Sequence, residues 1–415
     1  MDKKYKIVFL FIVIAVVSTL LQGYLSTEKG LGSYLWVEPA EPAAGGMYVV
    51  VAVDAEDTYN PSRMYYLGMT SSTWRNSMKD SFGKPVAITW YASITTGTCD
   101  PPPNQNKNCL REYDTILKYA DALKMYKDSL EWHYHHCNGE EADIGRCGQE
   151  FSFNNLNKWK PEYVLNRMLI DRNFFPSSYR AGWEWEDTAL SNFLEGVVFS
   201  DYSNDLHSGV WQEAPHEWTW YHPSSTDFKK RGDMSRYIHD CVPTYIPSFN
   251  EAWRIINEND VVNAFKRAAA GEDTIFCWWI HSWDPKWDIK FKTMQELLVQ
   301  KSKEYGVKFI YANGREAMRQ LINFDDNTPP TFTISRSGNN LMISSSEELF
   351  NGKPYGAIKL ANGSYIRVQL AQTSSIKQWS YDITSLLGTD FTFAVGGTDK
   401  VGNVNTAKFN YLSTP

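Results

Sequence analysis

Basic charge is in short supply in this 415-residue chain: Lys and Arg number 41 against 48 Asp and Glu, the formal net charge is −7, and no long Lys/Arg run occurs. Affinity built on neutralising phosphates needs the opposite balance, so no nucleic-acid partner is expected. Cysteine is sparse too, at six residues, and no two form a Cys-x-x-Cys pair. A structural zinc knuckle or a redox dithiol therefore finds no support. There is no internal repeat. With 43% hydrophobic and 21% charged residues, the composition fits none of disorder, collagen or a polytopic membrane protein. At about 150 residues per domain, the length predicts two to three domains.

What is present starts with an export signal. Met-Asp-Lys-Lys-Tyr-Lys leads into an unbroken apolar run from Ile7 to Val17, extended weakly to Leu21. About 15 apolar residues make a helix of about 22 Å, marginal for a hydrocarbon core of about 30 Å. No clean small-x-small site follows. Residues 1–25 thus read either as a cleaved signal peptide or as an uncleaved N-terminal membrane anchor, and both place the remainder outside the cell or on its surface. Residues 26–46, rich in Gly, Pro, Glu and Ala, read as a stalk. In an oxidising compartment the six cysteines are expected in disulfides, and their spacing suggests Cys99 with Cys109, Cys137 with Cys147, and Cys241 with Cys277.

Periodicity divides the rest. Met47–Val53 is a short continuous apolar run, the mark of a strand buried on both faces. Strand and helix then alternate: a helix through Tyr113–Leu123, a strand Leu130–His136, a helix Asn250–Ala270, a strand Thr274–Ile280, a helix Phe291–Tyr305, a strand Val307–Tyr311 and a helix Gly314–Leu321. Such alternation predicts a parallel sheet covered by helices over 47–325, either open or closed into a barrel. From 326 to 415 the texture changes to short alternating segments separated by turn residues, which predicts a small all-β sandwich expected to fold on its own. Its Asp399-x-x-Gly402-Asn403 turn resembles that of bacterial and archaeal immunoglobulin-like domains. Most of the sixteen Trp lie between Trp132 and Trp287, so the first part has an aromatic core or a ring-stacking cleft.

In parallel βα folds the ligand meets the C-terminal ends of strands. Three strand ends carry chemistry. The first holds Asp54, Glu56 and Asp57, three carboxylates in four positions. The second holds His133, His135 and His136, three of the chain's eight histidines, a density that solvent exposure does not require and metal binding would explain. The third ends in His281, after Trp278-Trp279-Ile280.

An early carboxylate cluster, a His cluster one βα unit later and a late strand-end His, in this order, resemble the polysaccharide deacetylase (NodB-homology, carbohydrate esterase) family. Phe175-Pro-Ser-Ser-Tyr-Arg180-Ala-Gly182 resembles the family's aromatic-Arg motif, and Leu194–Ser203 the segment that often follows it. The resemblance covers about residues 47–325. It implies an irregular (β/α) barrel of NodB type, a divalent metal, usually zinc, and hydrolysis of acetyl groups on a polysaccharide or glycan substrate, a C–N bond other than a peptide bond. By that resemblance Asp54 would be the general base, Arg180 the group that orients it, His281 the general acid, and Glu56 or Asp57 the carboxylate ligand. The family's His-x-x-x-His would need a His where this chain has Cys137, so His133 is joined by His135 or by His136. On a strand His133 and His135 share a face; a turn at His136 would instead pair it with His133. The other reading is a catalytically inactive surface protein of the same architecture that binds glycans or serves a structural role.

Overall fold

The structure is a computed structural model, described over residues 46–56, 65–94, 109–135, 153, 158–182, 186–203, 237–238, 241–243, 258–322 and 326–413. Residues 1–25, expected as the export signal, nearly all of the expected stalk, Asp57, His136, Cys99, Cys137 and Cys147 lie outside the described residues. No helix among the described residues is long and apolar enough to cross a membrane.

The first part is a sheet of nine strands: β1 (Met47–Ala55), β2 (Ile88–Ser93), β3 (Ser129–Tyr134), β4 (Ser178–Ala181), β5 (Ser200–Asp201), β6 (Tyr237–Ile238), β7 (Cys241–Pro243), β8 (Thr274–His281) and β9 (Phe309–Tyr311). Its order is β6-β5-β4-β3-β2-β1-β8-β7, with β9 beside β1, and every pairing is parallel. β1 pairs with β8 along nearly its whole length, while its other edge is shared by β9 at Met47–Val49 and β2 at Val51–Ala55. All nine residues of β1 are buried, as its apolar run predicts. Among the described residues no ladder joins β6 to β7, so the sheet is a curled half-barrel where a closed barrel stood as one expectation.

Helices connect the strands: α1 (Tyr66–Met69), α2 (Ser72–Arg75), α3 (Arg111–Ile116), α4 (Ala120–Met125), α5 (Trp159–Arg172), α6 (Thr188–Glu195), α7 (Glu258–Ala269), α8 (Trp287–Tyr305) and α9 (Gly314–Leu321). Side-chain oxygens set two of their starts, Asp187 accepting from the Leu190 N–H at 2.8 Å and Asn313 from the Glu316 N–H at 2.9 Å. Alternation along β1 separates two packing faces. Val49, Val51 and Val53 meet Trp90, Trp132 and Trp278 together with α5, α7 and α8. Tyr48, Val50 and Ala52 meet Tyr91, Tyr202, Trp279 and Ile310, with Met318 and Leu321 of α9. Cys109 and Cys277 are both disulfide-bonded, and the β7–β8 register sets Cys241 opposite Cys277.

The second part is a sandwich of two antiparallel four-stranded sheets. One runs β10 (Phe332–Ser337), β11 (Asn340–Ser345), β15 (Gln378–Asp382), β14 (Ala371–Gln372); the other β13 (Tyr365–Val368), β12 (Tyr355–Leu360), β16 (Phe391–Thr398), β17 (Val404–Tyr411). Leu341, Ile343, Ile358, Trp379 and Phe393 fill the space between them. An extensive junction joins this unit to the first part. Asp171 of α5 accepts from Lys359 Nζ at 2.9 Å and from the Tyr365 hydroxyl at 2.7 Å, and Arg367 pairs with Glu162 at 2.7 Å. Tyr355, Ala357, Ala394 and Val404 join the apolar core of the first part. Gly396 lets β16 close on Phe175, whose Cγ would stand 2.8 Å from an added Cβ. In the Asp399–Asn403 turn, Asn403 Nδ2 donates to the Asp326 carbonyl at 2.9 Å and Arg319 donates to Asn403 Oδ1 at 3.2 Å, so the turn helps seal the junction.

Candidate metal centre

Parallel register brings the three strand ends together. Ser93, His133 and Arg180 lie in one row across β2, β3 and β4, and Asp54 is opposite His281 across β1 and β8. Residues in one row of a parallel sheet project to the same side. Asp54 and Glu56 therefore continue the face of Val50 and Ala52, and His281 that of Trp279.

Glu56 Oε1 lies 2.8 Å from His133 Nε2 and 2.7 Å from His135 Nε2, and the two imidazole Nε2 atoms are 2.9 Å apart. All three residues are buried. His133 Nδ1 faces the Arg180 carbonyl oxygen at 2.9 Å, a partner that only an N–H can satisfy. The neutral His133 ring therefore carries its proton on Nδ1 and turns the Nε2 lone pair inward. A carboxylate oxygen and two ring nitrogens so close together do not have enough protons to satisfy one another. One divalent cation would satisfy all three, and the backbone bond that fixes His133 is the support a His ligand usually has. Two His and one carboxylate form a donor set suited to a divalent metal ion.

The three groups also perturb one another's charge. Burial pushes the Glu56 carboxyl up, but His135, the hydrogen bonds from both rings and His281 outweigh it and hold the group well below the usual carboxylate range. Burial pulls His133 down, yet Asp54 and Glu56 raise it above the ordinary imidazole value. His135 is lowered, burial dominating.

Beside the three donors stand the remaining polar groups. Arg180 Nε donates to Asp54 Oδ1 at 2.7 Å, its Nη1 donates to the Tyr202 carbonyl at 2.9 Å, and its guanidinium lies 4.5 Å from the centre of the Trp279 ring. His281 Nε2 is 3.8 Å from Glu56 Oε2. Its ring stacks on Trp283 at 4.5 Å and meets Trp279 edge-on at 4.9 Å. Burial lowers its pKa against the opposing pull of Glu56 and Asp54. Asp284, the carboxylate nearest His281 in sequence, instead pairs with Lys290 and accepts from the Lys286 N–H.

Asp54, Glu56, His133, His135, Arg180 and His281 thus meet at one place, while Asp57 and His136 lie outside the described residues. Sequence reasoning missed three contributors. Trp279 backs both Arg180 and His281. Ser282 holds the backbone of Glu56. Gly182 gives His135 its room, because a Cβ there would stand 2.4 Å from the ring Cγ. Period-2 alternation from His281 back to Trp279 was the available signal for the first.

No protein-family model matches the chain, and no curated protein does. Among solved structures, an engineered protein superposes with a TM-score of 0.28 at 9% identity over 93% of this chain and 96% of that one. A tri-modular GH5 subfamily 4 endo-β-1,4-glucanase from Bacillus licheniformis, complexed with cellotetraose, gives 0.25 at 9% identity over 92% and 79%. A trimodular GH5_4 subfamily endoglucanase gives 0.29 at 11% over 94% and 80%. Likeness at that level carries no argument about fold or activity.

Proposed function

We propose that the chain is an exported metal-dependent hydrolase of the polysaccharide deacetylase kind, built on a NodB-type barrel, that removes N-acetyl or O-acetyl groups from a cell-surface or extracellular glycan. The observation that carries the reading is that Asp54–Arg180 and His281 lie beside the Glu56–His133–His135 cluster at the C-terminal ends of parallel strands.

A divalent metal, which we read as zinc, would supply Lewis acidity toward the scissile carbonyl and acidify a water, and Glu56, His133 and His135 would hold it. Asp54, whose Oδ1 is fixed by Arg180, accepts the proton of the attacking water. His281, clasped between Trp279 and Trp283, donates a proton to the departing amine or alcohol. A positioned acid or base of this kind is typically worth about 10²–10⁴ in rate.

The test is elemental analysis of protein purified without chelators, followed by acetate release from N-acetylated oligosaccharides. About one zinc-like ion per chain, lost in His133→Ala, together with released acetate, is the expected result. Metal-free protein that binds glycan without releasing acetate would turn the assignment to the inactive surface protein.

A further inference from the structure

Glu56 stands one residue beyond the end of β1, where the sheet ladder has stopped. A metal ligand in that position needs another restraint, because first-row metal sites tolerate only a few tenths of an ångström of ligand displacement. One side chain supplies it. Ser282, one residue beyond β8, donates its backbone N–H to the Asp54 carbonyl at 2.9 Å. Its hydroxyl then takes over from the ladder: Oγ accepts from the Glu56 N–H at 3.1 Å and donates to the Glu56 carbonyl at 3.2 Å. Both backbone groups of the ligand residue are thus served by a single hydroxyl, which only a group that both donates and accepts can do.

The hydroxyl is itself held. The Tyr66 phenol lies 3.3 Å from Ser282 Oγ and in contact with Glu112 Oε1, its one proton reaching either acceptor. Tyr65 N–H donates to the Ser282 carbonyl at 3.1 Å. Ser282, Tyr66 and Glu112 are all buried, so water does not substitute for any of them.

We propose that Ser282, braced by the Tyr66–Glu112 pair, is a positioning residue that sets the place of Glu56 and through it the metal affinity of the centre. The inference rests on the metal-binding reading above. Loss of such support around a metal ligand typically costs about 10–100-fold in affinity. A Ser282 that merely satisfied buried backbone would lower the melting temperature and leave the metal affinity of the folded protein unchanged.

The experiment is chelator competition with zinc on the full chain, alongside thermal melting of the zinc-free form. Ser282→Ala should weaken zinc by about 10–100-fold, and Tyr66→Phe should weaken it in the same direction but less. Should Ser282→Ala not fold, Tyr66→Phe alone decides. Wild-type zinc affinity in both folded variants, or in Tyr66→Phe where it decides, would overturn the inference and leave the metal reading standing. Wild-type protein that takes up no zinc would overturn both.

Discussion

Gly182 offers the sharpest test of the site, because its role is space and nothing else. Its backbone is not in the left-handed region, so alanine is conformationally admissible, yet an added Cβ would lie 2.4 Å from Cγ, 2.6 Å from Cδ2 and 2.7 Å from Nδ1 of His135. Relief to an ordinary van der Waals contact requires the imidazole to retreat by about 1 Å, and packed surroundings resist such a move. Nε2 sits across the ring from the new methyl, 2.7 Å from Glu56 Oε1 and 2.9 Å from His133 Nε2, and a shift of that size takes it out of ligand range. Gly182→Ala should therefore weaken metal at least about 100-fold, beyond a typical supporting-residue effect, with about 1–3 kcal/mol of overpacking strain. The assay pairs chelator competition with denaturant unfolding of the metal-free protein, in a cycle with His135→Ala. With the imidazole gone, the methyl should cost less than about 0.5 kcal/mol. Unchanged metal affinity in Gly182→Ala, or an equal stability loss in both backgrounds, would refute the reasoning.

Two further outcomes follow from the geometry. His281→Ala should lose about 10²–10⁴ in turnover while keeping fold and metal; near-normal turnover with a lower melting temperature would mark His281 as a packing residue. At the junction, Asp326, Glu347 and Asp399 place carboxylate oxygens within 4.8 Å of one another. Burial, then Asp399 and Asp326, push Glu347 up to about 7, and burial foremost raises Asp399 to about 6. A carboxyl whose folded pKa exceeds its unfolded value contributes fully below the unfolded value, and that contribution is lost as pH rises through the folded one. Stability should thus decline from pH 5 to pH 8. Glu347→Gln should raise the melting temperature by about 1–3 °C at pH 8 and leave it unchanged at pH 5, the partial exposure of the group limiting the gain. Equal shifts at both pH values would contradict the assignment.

What the sequence discloses depends on how local the cause is. β1 and β8 are apolar runs ending in polar residues, so both their burial and their functional ends can be read directly. Strand alternation puts His133 and His135 on one face but leaves a turn at His136 open as the other choice. β4 and β5 escape notice as strands because they span only Ser178–Ala181 and Ser200–Asp201, too few residues for a period to emerge. α5 is hidden for another reason. Val164, Leu165, Asn166, Met168, Leu169 and Ile170 are all buried, since the sheet covers one side and the sandwich the other, so its buried residues do not fall on one narrow apolar face. The sandwich is legible as strands, but its grip on α5 is not, because Lys359 and Asp171 meet across 188 positions of chain. The roles of Ser282 and Gly182 depend on distances that no single stretch of sequence encodes.

Arg180 serves the centre with two different parts of itself. Its guanidinium holds Asp54, while its main-chain oxygen fixes the tautomer of His133. Any amino acid at position 180 still presents a carbonyl, whereas few present a forked cation. On the proposed function, replacement there would disarm proton transfer and leave capture of the ion in place, so that the two capacities are separable by one codon change.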